Sequence, residues 1–123
     1  SAMTADLVLP GGKHAGGYIF PGFNLLKQSL LSGTSNIVVK KDVRSAINLG
    51  ASTEECVDNG IQMMMRSTLF GLIQLAASFK VYDVLLTGGD GLAARALLDE
   101  KYEYDKDLVF KGLGVAGSCS INI

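Results

Sequence analysis

The passage Thr87-Gly88-Gly89-Asp90-Gly91 places backbone N–H groups with no side-chain bulk between an apolar run and a helix start. That is an arrangement in which phosphates and nucleotides can be seated on backbone donors. Neither GxGxxG nor a Walker-type GxxxxGK pattern occurs anywhere in the chain, so a plain turn also accounts for it. Thr53 follows Ser52 at the start of a long amphipathic stretch. With Ser52 as the cap, the Thr53 hydroxyl is free to meet a ligand or simply faces water. Asp6 lies inside a strand-like run, where a carboxylate is disfavoured and points either to solvent or into a site. His14 is the single histidine, in an expected hairpin loop, which gives little support to a histidine-based triad or a zinc cluster. Glu54/Glu55 and Asp99/Glu100 read as compensation of helix dipoles and as surface.

One stretch must position these groups. From Ser52 to about Lys80, apolar residues recur at Val57, Ile61, Met64, Met65, Leu69, Leu72, Ile73, Ala76 and Phe79, in the threes and fours of an amphipathic helix. Ser52 with Glu55 three places on predicts a capping box. A second stripe, Gly60, Met64, Ser67 and Gly71, carries small residues that let another backbone approach, as in a dimer, or it marks loose spots of a core helix. Upstream, Thr4 to Pro10 predicts a strand, Pro10 to Lys13 a turn, and Ala15 to Phe20 the returning strand, with a bulge or close approach at Gly16 and Gly17. Asn24 to Leu31 predicts a short helix with Leu25, Leu26, Leu30 and Leu31 inward and Gly33 as its stop. Thr34 to Leu49 reads as an irregular connection in which Ile37 to Val39 could form a brief strand. Downstream, Asp83 to Leu86 predicts a buried strand and Leu92 to Asp99 a helix. Tyr102 to Lys106 reads as a polar loop, and Leu108 to about Ser118 as a final small-residue helix. The order predicts an α/β fold with a mixed sheet, flanking helices and one long helix.

With 123 residues there is room for one domain. A net charge of −1 leaves no basic footprint, so nucleic acid is not an expected partner. Hydrophobic residues make up 48%, yet Leu69 to Ala77 is far shorter than the ~20 residues of a membrane span. The excess therefore points to interface surface or to a face awaiting another part of the fold. Cys56 and Cys119 are distant and form no CxxC, which predicts reduced thiols in a cytoplasmic protein. The first residues carry neither the basic region nor the apolar core of a signal peptide.

Taken together, five segments in one order resemble the type III pantothenate kinases, members of the superfamily of acetate and sugar kinases, heat-shock chaperones and actin. Ser1-Ala2-Met3-Thr4-Ala5-Asp6 is similar to the end of the family's D-x-G-S/T-A-x-T-x-D motif, and Gly16 to Gly22 to its G-G-x-I-x-P-G. Gly50 to Glu54 resembles G-x-x-T, Leu86 to Gly89 the T-G-G, and Asp107 to Leu113 the closing D-L-x-x-x-G-L. The resemblance implies the C-terminal, ribonuclease H-like half of an actin-like ATPase-superfamily kinase. Its expected reaction is ATP-dependent phosphorylation of pantothenate, the first step toward coenzyme A. Carried over by position, Ser1, Gly88 and Gly89 are expected at ATP and Thr53 at pantothenate. A divalent cation is expected with ATP, and potassium or ammonium in the complete enzyme.

The resemblance also implies absent parts. The family's N-terminal phosphate loop, its G-x-D-R segment with the catalytic aspartate, and the Asp-x-Gly ahead of Ser1, implicated in the monovalent cation site, do not occur in these residues. This chain is accordingly expected to pair with an N-terminal half, to form a homodimer, and to be inactive alone. A strand preceding Ser1 is expected in mid-sheet beside Thr4 to Pro10, so that its loss would leave a gap. The alternative is a non-catalytic relative, like the transcriptional accessory factors of the family, that binds a partner.

Overall fold

Leu69, Leu72 and Ala76 lie on one face of a long helix and are buried against a sheet in the computed structural model. Residues 2–32, 48–98, 102–105 and 117–123 are described. Strands β1 (Ala2–Val8) and β2 (His14–Pro21) form an antiparallel hairpin, followed by helices α1 (Phe23–Leu31) and α2 (Thr53–Ser78). Strand β3 (Val84–Thr87), helix α3 (Gly91–Leu97), and strands β4 (Glu103–Tyr104) and β5 (Ser118–Asn122) complete the order. The sheet runs β2-β1-β5-β3-β4; β5 is antiparallel to β1 and parallel to β3, and β4 is parallel to β3. This is the mixed α/β sheet expected from the sequence.

Helix α2 begins where its cap was expected. The Glu55 N–H donates to Ser52 Oγ at 3.1 Å, but the Glu55 carboxylate reaches back to the Ala51 N–H at 2.7 Å rather than to the cap residue's own N–H. Its 26 residues span about 39 Å. Ile61, Met65, Leu69, Leu72 and Ala76 are buried, as the stripe predicts. Met64 and Phe79 are exposed instead, because Met64 falls on the outer stripe and Phe79 caps the helix end. The helix stops without glycine. Lys80 takes the left-handed conformation (φ 60°), and the Val81 N–H bonds the Ala76 carbonyl at 2.9 Å, sending buried Val81 back to the core.

Three other expectations are corrected. Leu25 and Leu30 of α1 are exposed, because α1 lies on the flank of α2 and only its Leu26 side faces the core. A salt bridge of 3.0 Å from Lys27 to Asp58 fixes that packing. The loop expected over Tyr102 to Lys106 contains β4, held by an Asp105 N–H bond to the Leu86 carbonyl at 2.9 Å. Ser118, expected to end a helix, opens β5. This strand lies between β1 and β3 in the middle of the sheet. The Gly33 stop, most of the Thr34–Leu49 connection and most of the Leu108–Ser118 helix lie outside the described residues.

Candidate functional site

Because β3 and β5 are parallel neighbours, their carboxyl ends open side by side, and ligands of α/β sheets gather outside such ends. The Thr87-Gly88-Gly89 turn sits there. Gly88 has φ +90°, and a Cβ on it would run into the Ile123 backbone and the Asn122 side chain, so the turn requires glycine twice over. Its flanks are tied down: Ile123 N–H to Thr87 O at 3.0 Å, Asp90 N–H to Ile123 O at 2.8 Å, and Gly91 N–H to Gly88 O at 3.2 Å. Tyr104 Oη adds a further bond to Gly88 O at 3.0 Å. The apex residue Gly89 is exposed, and a Cβ there would meet open space. This leaves its backbone free for a ligand oxygen.

Thr53 lies elsewhere. It is the first residue of α2, exposed, at the mouth of an apolar groove of about 430 Å³ shared with Leu30, Val57, Ile61 and Met64. The first N–H groups of a helix have no intrahelical acceptor, so Thr53 can offer a hydroxyl and nearby donors to a polar ligand. No residue of the glycine turn lines the groove at Thr53. Ser1 lies outside the described residues.

The sequence reading missed one pairing. A register shift between Leu7 and Val8 brings His14 opposite Val8, and its Nε2 comes within 3.0 Å of Asp6 Oδ1. Asp6 is half-buried and engaged by its own hairpin. No residue pattern signals this, since it depends on where the bulge falls. Asp6 lines a cavity of about 320 Å³ between the hairpin and the end of α2, with Leu72, Phe79 and Cys119 among its other walls. Burial pushes the Cys119 thiol up to about 11, with a smaller push from the Asp6 carboxylate, which keeps it a neutral core group. Cys56 is exposed, with its Sγ 3.4 Å from the Gly50 carbonyl. Among the described residues no cluster of three His, Cys, Asp or Glu side chains could hold a metal ion. Nor is any helix there long and apolar enough to cross a membrane.

Residues 1–75 match the family model for type III pantothenate kinase. A type III pantothenate kinase from Chromohalobacter salexigens is 38% identical over 92% of this chain and 42% of its own length. Another from Marinobacter nauticus is 34% identical over 79% of this chain and 40% of its own. A solved structure described as a Baf family transcriptional activator from Campylobacter jejuni superposes with a TM-score of 0.61 at 26% identity, covering 91% of this chain and 50% of that one. The chain thus spans under half the length of the two curated relatives. The glycine turn at the ends of two parallel strands and the capped start of α2 are thereby set in a known sequence frame: this chain belongs to the type III pantothenate kinase family.

Proposed function

We propose that this chain is the C-terminal half of a kinase that transfers the γ-phosphoryl group of ATP to the hydroxyl of pantothenate. In this reading its sheet is the ribonuclease H-like half of an actin-like ATPase-superfamily enzyme. The observation that carries the reading is the glycine turn outside the carboxyl ends of β3 and β5, in a chain of this family. Phosphoryl transfer asks a protein mainly for positioning and charge neutralisation. Gly88 and Gly89 contribute bulk-free backbone that fits a phosphate oxygen, and a divalent cation bound with ATP supplies neutralisation of the phosphate charge. The aspartate expected as base belongs to the N-terminal half.

Thr53 and the donors at the start of α2 suit pantothenate, whose carboxylate, amide and hydroxyl groups need polar partners. The stripe of Gly60, Ser67 and Gly71 is exposed, with open space where Cβ atoms would stand at both glycines. A second copy packed there would make the homodimer. A second reading draws on the description of the Campylobacter jejuni structure: the same frame binds a partner without transferring a phosphoryl group.

A split in Michaelis constants tests the kinase reading. In a protein completed with the N-terminal half of the Chromohalobacter salexigens relative, Thr53→Val should remove one ligand hydrogen bond, worth about 0.5–1.5 kcal/mol. The KM for pantothenate is expected to rise roughly 2- to 12-fold, with the KM for ATP unchanged. An unchanged KM for pantothenate would remove Thr53 from the site.

A further inference from the structure

We infer that Tyr104 is a positioning residue: its hydroxyl and ring hold the Gly88–Gly91 turn in the conformation that presents Gly89 to a ligand phosphate. The ligand half of this statement rests on the nucleotide reading of the turn proposed above. The clamp itself rests on geometry alone.

Strand β4 is two residues long, and beyond the packing of Tyr104 against the core its pairing with β3 has another consequence. The register sets Tyr104 beside Leu86 and Glu103 beside Leu85, and the Asp105 N–H bond to Leu86 O pins the strand from the other side. From that place the half-buried Tyr104 reaches past the end of β3 and donates its hydroxyl hydrogen to Gly88 O at 3.0 Å. Its ring lies where a side chain at Gly91 would have to go, so that a Cβ there would collide with Cε2 and Cδ2. Glycine at residue 91 is thus explained by the ring, and the ring is held by the turn.

The bond matters because of which atom it holds. Gly88 O already accepts from the Gly91 N–H at 3.2 Å, a long bond that closes the turn weakly. The Tyr104 hydroxyl is a second donor on the same oxygen, and together they fix the Gly88–Gly89 peptide plane. With its carbonyl held inward, the N–H of that same peptide, which belongs to Gly89, points the opposite way. Gly88 at φ +90° has no side chain to stabilise this state, and glycine samples many others. The restraint therefore has to come from outside the turn. On the β5 side it comes from Ile123, through Asp90; on the β4 side it comes from Tyr104.

Tyr104→Phe keeps the ring and deletes the bond. In the 123-residue chain, amide exchange at Asp90 and Gly91 should quicken about 2- to 12-fold, the range one hydrogen bond supports, while Leu86 and Ile121 keep their protection. A merely structural role would loosen β3 and β5 together. In the protein completed with the relative's N-terminal half, the KM for ATP should rise several-fold with the KM for pantothenate unmoved. Gly91→Ala, which pushes the ring away, should reproduce both effects independently. Unchanged exchange at Asp90 and Gly91 overturns the clamp. Faster exchange with an unaltered KM for ATP overturns its role toward the nucleotide. If the completed wild-type protein transfers no phosphoryl group, the kinase reading fails, and exchange alone decides the clamp.

Discussion

Leu69→Ala should cost this fold about 3 kcal/mol, within the 2–5 kcal/mol spanned by buried leucine truncations. Leu69 is fully buried in the middle of α2, between the sheet and the flank of the helix. Its neighbours along the inward stripe, Met65 and Leu72, are anchored on the same rigid helix, and across from it Ile121 and Leu86 belong to strands held by ladders on both sides. None of these can move far to fill the space, so the cavity term adds to the lost transfer energy. For a domain of this size the loss should lower the thermal midpoint by roughly 10–15 °C. Met63→Ala, six residues earlier on the exposed face, should change it by no more than about 0.5 kcal/mol. Two thermal melts suffice. Equal effects at the two positions would mean that the helix does not pack on the sheet by the face described.

Gly88→Ala should be nearly as damaging, for a different reason. An L-residue at φ +90° is strained by about 1–2 kcal/mol, and the new Cβ would overlap the Ile123 backbone. Relieving the overlap means moving the end of β5 or opening the turn, a further 1–3 kcal/mol or so by analogy with overpacked cores. The expected total is about 2–5 kcal/mol, with the damage centred on the bonds linking Thr87, Asp90 and Ile123. Gly89→Ala is the control: the position has open space and no positive φ, so stability should hold. A loss at Gly89 as large as that at Gly88 would place the strain in the wrong residue.

Much of the frame is legible without coordinates. The start of α2, the β1–β2 hairpin and the strand ahead of the glycine turn follow from local signals: a capping pair, a Pro-Gly-Gly turn and a short aliphatic run. What is not legible is non-local. Ser118-Cys119-Ser120-Ile121-Asn122 has the small, polar composition of a loop, and it becomes a central strand because β1 and β3 offer it two ladders. Glu103 and Tyr104 look like loop for the same reason, since two residues carry no period. The proposed site divides likewise. Thr53 and the glycine turn announce themselves by position and type. Tyr104, which holds the turn, and the Asp6–His14 pair depend on register and on a bulge, neither of which residue identity fixes.

Phosphoryl transfer itself is the measurement closest to the central claim. The 123-residue chain and the protein completed with an N-terminal half of the family should each be incubated with ATP, a divalent cation and pantothenate, and phosphopantothenate quantified by mass spectrometry. The chain alone should form none, and the completed protein should form product only when both substrates are present. Product from the chain alone, or none from a completed protein shown to be folded, would contradict the account.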